Sequence, residues 1–227
     1  MKNTYNLTSP AKSDPELEFI LRKQGSLLTV SSRKVILEAE TATKGVYYIL
    51  SGRTRHYLLG ANGSEKILFV LTAGWFFGES EALLDIPQHY YVTTEDVTEL
   101  VFISMDNFRS LLHRSSVFNE AIMLSQAYKS MMMCHEIERQ VFFSSRERLL
   151  QLFYFSAEAS IAYDGKWYAL NHNYTQQELG TILGVSRVTI SKFVNEFCNE
   201  GIIRIVNRRI QLSIQHYNRL DSQFAAR

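Results

Sequence analysis

The sequence predicts an α+β fold in which a β-rich N-terminal half is followed by one long helix and a C-terminal region of short helices and strands. Between residues 34 and 104, short runs rich in β-branched and aromatic residues alternate with glycine or polar turns. Residues 117–143 contain neither glycine nor proline, which favours a single helix. A chain of 227 residues with 46% hydrophobic content can bury a core in each of two domains.

The β-rich half is predicted to be an antiparallel β-roll of the jelly-roll type that spans residues 16–116. Its runs include VYYIL, RTRHYLL and EKILFVL, and Asn62-Gly63 lies between the last two. Both residues tolerate positive φ, so this pair predicts a tight hairpin. Residues 1–15 are polar and rich in turn formers, and we expect them to be a mobile segment.

The segment 117–143 is predicted to be one helix, about 40 Å long if fully helical. Such a helix is longer than one small domain needs, and its pattern suits pairing with a second copy, so we expect a homodimer. The alternative is a helix that lies across its own β-roll. The residues that recur on one face at spacings of three and four are Ala121, Leu124, Tyr128, Met131, His135, Glu138 and Phe142.

Residues 174–190 carry the signals of two short helices joined by a tight turn. Thr175 can cap the first helix while Glu178, three residues later, reaches back to the amide of the cap. Gly184 permits the left-handed conformation of the turn, and Ser186 can cap the next helix. Gly180 is small where the helices must cross. The pattern is that of a helix-turn-helix, although two bundle helices with a glycine turn would look similar.

The second helix of this motif is predicted to present polar side chains to DNA. Arg187, near its start, can donate two hydrogen bonds to guanine O6 and N7, a contact that contributes about 1–3 kcal/mol of discrimination. The residues expected to contact bases or phosphates in and around the motif are Thr175, Gln176, Ser186, Arg187, Val188, Thr189, Ser191 and Lys192.

Residues 202–214 are predicted to form a β-hairpin after the motif. Two apolar runs flank Asn207-Arg208-Arg209, and a hairpin with arginines at its tip is the wing of a winged helix. Arg208 and Arg209 are expected to contact phosphates, with a solvated turn as the alternative. Residues 144–227, the predicted winged-helix domain, hold 10 basic and 7 acidic residues, whereas residues 1–143 hold 14 and 16. The basic excess therefore lies in the DNA-binding part.

The order of parts resembles the CRP/FNR family of bacterial transcription regulators across nearly the whole chain. The motifs that carry the resemblance are YYILSGRTR at 47–55, NGSEK at 62–66, GWFFGESEALL at 74–84 and GVSRVTISK at 184–192. By this resemblance Arg187 matches the usual guanine-reading arginine of the family. Val188 stands where the family often has a base-reading glutamate, and valine can only pack on a thymine methyl, so the target should differ from the standard half-site.

The resemblance implies a sequence-specific regulator that binds a palindromic, double-stranded DNA operator as a homodimer. Two recognition helices would then lie about 34 Å apart, one turn of DNA. The implied partners are the DNA, a second copy of the chain, RNA polymerase and a small-molecule effector. Activation of transcription is the expected effect. The contrasting class is a protein-interaction module whose winged helix contacts protein rather than DNA.

The family binds its signals between the β-roll and the long helix, and this sequence departs from the cyclic-nucleotide pattern there. Gly78-Glu79 matches a glycine-glutamate pair of the cyclic-nucleotide-binding members. However, no arginine occurs from Trp75 to Phe108 to hold a cyclic phosphate. We therefore expect an effector other than cyclic AMP. The alternatives are a constitutively active protein without a ligand, or a regulator that responds to a cyclic nucleotide or to haem held by His56, His89, His113 or His135.

Aromatic residues, methionines and one lysine suggest an apolar effector pocket. Lys129 could pair with a phenolate or carboxylate, and its position resembles the halophenol-responsive branch of the family. Alternatively, the aromatics are core, Lys129 extends to solvent, and Glu79 satisfies loop amides. The residues assigned to the pocket are Phe69, Trp75, Phe77, Glu79, His89, Tyr90, Tyr128, Lys129, Met132 and Met133.

Several other classes are disfavoured by what the sequence contains. Its two cysteines, Cys134 and Cys198, are too few to ligate an iron-sulfur cluster, and residues 34–104 lack an H-x-H pair for a cupin-like metal enzyme. Cys134 could act as a redox switch, but a small buried hydrophobe is the simpler interpretation. We expect no catalysis, no metal and no cofactor. Because we find neither an apolar span nor a signal segment, we also expect no membrane contact and a cytoplasmic location.

Overall fold

The computed structural model describes residues 14–61 and 63–225 of the chain. They fall into two compact units, 14–135 and 136–225. The expected mobile segment 1–15 lies outside the described residues except for its last two. Asp14 caps a helix that begins at Pro15 and accepts a hydrogen bond from Glu16 N at 2.9 Å. This capped start, with proline in the first turn, favours a helix that the sequence analysis did not predict.

The first unit contains a β-roll of two four-stranded antiparallel sheets, which confirms the predicted fold class. Helix α1 (Pro15–Gln24) precedes the strands β1 (Ser26–Val30), β2 (Val35–Leu37), β3 (Gly45–Ser51), β4 (Arg53–Leu59), β5 (Glu65–Thr72), β6 (Phe76–Phe77), β7 (Tyr91–Thr94) and β8 (Thr98–Ser104). The sheets have the strand orders β1-β8-β3-β6 and β2-β7-β4-β5.

The connection between β4 and β5 is longer than the predicted tight hairpin. β4 ends at Leu59 and β5 begins at Glu65, with Leu59 and Glu65 paired across the hairpin. Gly63 has a φ of 76° and donates a hydrogen bond to Gly60 O at 2.9 Å. Asn62, the other half of the predicted turn signal, lies outside the described residues. Gly60 also bonds to Ser64, so the chain reverses within a wider loop.

Two helices and most of a third complete the first unit, and the last seven residues of the third helix belong to the second unit. The three helices are α2 (Glu79–Leu84), α3 (Met105–Arg114) and α4 (Ser116–Phe142). α4 runs uninterrupted for 27 residues, as the absence of glycine and proline predicted. Leu21, Val46, Ile103, Phe108 and Phe118 share a core in which each is at most 1% exposed. Among the described helices, none is both long and apolar enough to cross a membrane.

The second unit combines helices with a four-stranded antiparallel sheet. The elements are α5 (Ser145–Ser156), β9 (Ala157–Tyr163), β10 (Trp167–Leu170), α6 (Gln176–Leu183), α7 (Arg187–Asn199), β11 (Ile203–Val206), β12 (Arg209–Ser213) and α8 (Ile214–Ala225). The strand order is β11-β12-β10-β9. β9, β10 and α8 were not predicted from the sequence. β9 contains three alanines and has weak strand propensity, and its position depends on pairing with β10, which in turn pairs with β12.

Candidate functional site

The helix-turn-helix begins with the capping box that the sequence predicted. Thr175 Oγ1 accepts a hydrogen bond from Glu178 N at 3.2 Å, and Glu178 Oε2 accepts one from Thr175 N at 2.7 Å. Two amide groups at the start of α6 are thereby satisfied. α6 ends at Gly184, which has a φ of 69°. The glycine takes the left-handed conformation without the steric cost that a side chain would add.

Close packing fixes the angle between α6 and α7. A Cβ atom on Gly180 would lie 2.7 Å from Val185 O, so only glycine fits there without a shift of the backbone. Ser186 Oγ then accepts a hydrogen bond from Thr189 N at 3.1 Å and caps α7. Ile190 faces inward and is fully buried in the core of the second unit. α7 therefore has a fixed inner face and a solvent-facing outer face.

The outer face of α7 brings together most of the residues predicted to read DNA. Arg187 and Val188 are exposed, and Val188 has 79% of its surface accessible. An apolar side chain this exposed at the start of a helix gains nothing from the protein core. The concave surface here is lined by Gln176, Arg187, Val188, Ser191 and Lys192, together with Asn195, Glu196 and Asn199.

The last three of these lining residues were missed by the sequence analysis. Asn195 and Asn199 follow Ser191 at helical spacings of four, and Glu196 follows Lys192 by four. That periodicity could have identified them. Thr175, Ser186 and Thr189 lie beside this surface at the helix starts, where their hydroxyl groups take part in the caps. Five of the predicted residues therefore line this surface, and Thr175, Ser186 and Thr189 hold the starts of the helices beside it.

The wing is present, but its tip is shorter than predicted. Val206 pairs with Arg209, which places Arg209 at the start of β12 rather than in the turn. Only Asn207 and Arg208 form the turn, with φ values of 51° and 63°. Two consecutive positive φ values characterise a two-residue type I′ hairpin, which asparagine tolerates well. Both Arg208 and Arg209 are exposed to solvent.

Four of the aromatic residues assigned to the effector pocket lie in the interior of the β-roll. Phe69, Trp75, Phe77 and Tyr90 are at most 8% exposed and belong to one core cluster. Met132 and Met133 pack against this cluster. Tyr128 meets the Trp75 ring edge-on at 6.2 Å but is 37% exposed. His89 is solvent-exposed, so its assignment to the pocket interior was wrong: the turn before β7 directs it outward.

Lys129 is buried and pairs with a carboxylate of the protein itself. It is 5% exposed, and its Nζ donates hydrogen bonds to Glu79 Oε1 at 2.5 Å and to Phe76 O at 2.7 Å. Ser125 Oγ donates to the same Glu79 oxygen at 3.0 Å. Lys129 therefore does not extend to solvent, and Glu79 does not simply satisfy loop amides. The two form a buried ion pair that links α4 to α2, because burial of either charge alone would be costly.

A buried histidine beside this ion pair was not assigned to the pocket. His56 is 0% exposed, and its Nε2 lies 2.9 Å from Thr54 Oγ1. Its Nδ1 has no hydrogen-bond partner among the described residues. Burial, and then the charge of Lys129, lower the pKa of His56 well below its usual value. Thr54 and His56 are two residues apart on β4, so the period-two alternation of RTRHYLL could have placed both inside.

A second buried carboxyl group lies on the same short helix. Glu81 is 3% exposed, and burial is the main cause that raises its pKa. Its Oε2, like that of Glu79, has no hydrogen-bond partner within the described ranges. The group therefore contains two carboxyls and a single lysine. An anion entering this region would meet the carboxyl groups of Glu79 and Glu81, and the one cation of this group, Lys129, is already paired with Glu79.

Two family models match the chain, one over each half. A cyclic nucleotide-binding domain matches residues 27–115, and a Crp-like helix-turn-helix domain matches residues 147–222. The chain belongs to the CRP/FNR family of transcription regulators. It is accordingly a DNA-binding transcription regulator, and the fold and motifs that indicated this family from the sequence are confirmed.

Relatives of known function are distant in sequence but similar in length. The chain is 24% identical over 181 residues to the CRP-like cAMP-activated global transcriptional regulator of Mycobacterium tuberculosis, covering 79% of this chain and 80% of that protein. It is 24% identical over 212 residues to the cAMP-activated global transcriptional regulator CRP of Haemophilus influenzae, covering 91% and 92%.

A solved structure shows that the fold is shared. The c-di-GMP-responsive global regulator CLP of Xanthomonas campestris aligns with a TM-score of 0.78 at 16% sequence identity, covering 88% of this chain and 99% of that one. At this identity the likeness concerns the fold alone.

Proposed function

We propose that this CRP/FNR-family protein binds a palindromic DNA operator as a homodimer and controls transcription from it. The outer face of α7 carries the proposal, because Arg187, Val188, Ser191 and Lys192 share one concave surface with Gln176. In this assignment residues 16–116 sense a signal, residues 117–143 dimerise and residues 144–227 bind DNA. RNA polymerase is the proposed partner, with activation as the expected effect.

The residues at the start of α7 are proposed to read bases. Arg187 is exposed at the first position of the helix, where a recognition helix enters the major groove. Its guanidinium matches guanine O6 and N7. Val188 is too exposed to serve the core and can contact a thymine methyl group. Ser191, one turn further, can reach a base or a phosphate.

Phosphate contacts are proposed around this reading surface. Lys192 and the exposed wing arginines Arg208 and Arg209 supply positive charge. Gln176 lies at the start of α6. Backbone N–H groups at a helix start that have no partner within the helix favour a phosphate. The caps that involve Thr175, Ser186 and Thr189 hold the helix starts in place and so orient these N–H groups. Such contacts add affinity on every sequence.

The exposed face of α4 supports the homodimer. Leu124, Tyr128 and Met131 are spaced by four and three residues and are 40%, 37% and 53% exposed. A stripe of this kind on a continuous helix is suited to pairing with a second copy. Phe142, further along the predicted stripe, is 75% exposed. Pairing with a second copy would remove these apolar side chains from water and so stabilise the dimer.

An effector other than cyclic AMP is the proposed signal. Glu79 and Glu81 are buried, and within the described residues Lys129, the cation bonded to Glu79, is already paired with it. A cyclic phosphate would enter this region without an arginine to bind it. A phenolate of the halophenol type would have to share Lys129 with Glu79, which already pairs with it.

One observation favours a second candidate, in which DNA binding needs no effector. The contact between α4 and the β-roll is made by the protein itself, through Lys129 and Glu79 and through Gln126 Nε2, which donates to Ser80 Oγ at 3.0 Å.

If an effector acts, it would shift the population of dimers whose α7 helices match successive major grooves. The proposed hinge is Ser144-Ser145, at the start of α5.

Substitutions in α7 and in the wing test the proposed reading of DNA. We expect Arg187→Ala to weaken binding to the preferred operator by about 1–3 kcal/mol and to relax the preference at one base. Arg208→Ala with Arg209→Ala should weaken binding to all DNA similarly and flatten its salt dependence. Fluorescence anisotropy with operator and unrelated duplexes measures both. Equal losses on every sequence for Arg187→Ala would show that it is not a base reader.

A further inference from the structure

A cluster of one arginine and two glutamates lies at the end of the proposed DNA-binding surface. Arg146, near the start of α5, donates from Nη2 to Glu200 Oε1 at 2.6 Å and to Oε2 at 2.7 Å. Its Nε lies 3.4 Å from Glu196 Oε2. The guanidinium carbon also lies 4.6 Å from the centroid of the Phe197 ring. One side chain of α5 therefore contacts both carboxylates at the end of α7.

The location of Arg146 is unfavourable for its own helix. It lies in the first turn of α5, where the helix dipole favours negative charge, and Glu147 already completes the capping box there. Glu196 and Glu200 are equally misplaced, because they lie at the negative end of α7, whose last turn has no basic residue. The contact between the three charged side chains offsets the unfavourable position of each in its own helix.

The cluster also borders the surface that would face DNA. Glu196 lines the same concave surface as Arg187 and Lys192, and its side chain is 36% exposed. Glu200 is 48% exposed. Carboxylates facing phosphates oppose binding through their charge, and this effect extends over about 8–10 Å at physiological salt. Two free carboxylates at this edge would therefore weaken binding to every DNA sequence.

We propose that Arg146 is a positioning residue for DNA binding, which pairs with Glu196 and Glu200 and offsets one of their two negative charges so that the end of α7 can approach the phosphates. This inference rests on the proposed function. Arg146 holds its guanidinium on the carboxylates and on the Phe197 ring, and Phe197 is fully buried. The cluster contributes no sequence information, so its effect is the same on specific and unrelated DNA.

Charge removal and charge rescue test this role in the full-length protein. Arg146→Gln should weaken binding to operator and to unrelated DNA by about fivefold each, the factor for one unit charge at about 4 Å in water. The triple variant Arg146→Gln, Glu196→Gln, Glu200→Gln should restore the affinity. Arg22→Gln, which breaks an exposed ion pair with Glu18 in α1, is the matched control and should bind as the wild type does.

Three results would overturn the proposal. If Arg146→Gln binds normally, the carboxylates do not oppose DNA. If the triple variant remains as weak as Arg146→Gln, the arginine itself contacts phosphate. If Glu196→Gln with Glu200→Gln in an otherwise native chain binds more weakly, the carboxylates assist binding; we expect it to bind at least as tightly. Failure of the wild type to bind any duplex would instead contradict the proposed function. Circular dichroism of each variant at the binding temperature establishes that it is folded.

Discussion

At the scale of single residues, the sequence identified charged residues that are buried in the first unit, but it did not show which of them form an ion pair. Lys129 and Glu79 are 50 positions apart. No local pattern indicates that a lysine on a long amphipathic helix is the buried partner of a glutamate on a short one. Sequence reasoning found both residues, but it assigned Lys129 to a ligand or to solvent. The pairing depends on how α4 lies on the β-roll, which is a property of the tertiary fold.

Breaking the buried ion pair should be costly. Lys129→Met leaves Glu79 without its cation at 0% exposure, and we expect the free energy of unfolding to decrease by about 3–5 kcal/mol. Adding Glu79→Gln should recover much of this loss, because the uncompensated charge is removed. Urea unfolding measures both variants. Lys23→Met on the exposed face of α1 is the control and should change stability by less than about 0.5 kcal/mol. A loss no larger than that of the control would contradict the buried pair.

His56 should make the stability of the protein depend on pH. Its pKa is lowered in the fold, mainly by burial. Below about pH 6.5 the unfolded chain binds a proton that the folded chain does not, so stability is lost by up to about 1.4 kcal/mol per pH unit as the pH falls. The His56→Gln variant should lack this slope. Urea midpoints between about pH 7.5 and about pH 5.5 measure the difference, and identical slopes would contradict it.

At the scale of elements, local signals predicted structure well wherever the structure depends on local contacts. The caps of α6 and α7 involve residues three apart, so Thr175 and Ser186 could be identified from sequence. The wing was placed within one residue, and its error arose because Arg209 is held by pairing with Val206. β9 and β10 were missed since their order depends on the non-local partner β12. The outer face of α7 was predicted only as far as Lys192, because Asn195, Glu196 and Asn199 lie beyond the helix-turn-helix motif.

Gly180 offers a direct test of the packing between α6 and α7. Gly180→Ala places a methyl group 2.7 Å from Val185 O, a backbone atom that cannot rotate away. We expect the free energy of unfolding to decrease by about 1–3 kcal/mol and DNA affinity to decrease with it, because the recognition helix must shift. The control is Thr181→Ala, at the next position, where the hydroxyl donates a hydrogen bond to Gln177 O within the same helix. Normal stability and normal DNA binding of Gly180→Ala would contradict the close crossing.

At the scale of the whole molecule, the proposal is that one protein combines a sensor, a dimerisation helix and a DNA reader. The family, the order of parts and the class of function could be recognised from motifs at 47–55, 74–84 and 184–192. The effector could not, since it depends on which buried groups are already paired. Binding to two half-sites requires two copies of the chain, and the exposed apolar stripe on α4 is the surface proposed to join them.

Charge on that stripe should separate the two copies. We expect Met131→Lys together with Leu124→Lys to shift the protein from dimer to monomer, because each lysine would have to be buried against its counterpart. Sedimentation equilibrium measures the mass, and operator affinity should decrease in parallel because only one half-site is held. Ser130→Lys, also exposed on α4 but off the stripe, serves as the control. A dimer of unchanged stability in the double variant would place the interface elsewhere.

The most direct test of the central claim is selection of bound sites from random double-stranded DNA, at fixed salt, by the full-length protein. The selection is made without additions, with cyclic AMP, and with a panel of phenols and small aromatic acids. We expect a palindromic motif whose half-sites lie about one DNA turn apart. We also expect this motif to be unaffected by cyclic AMP and to differ from the standard family half-site at the base facing Val188. Recovery of no enriched motif under any condition would contradict the proposal that this protein reads DNA as a dimer.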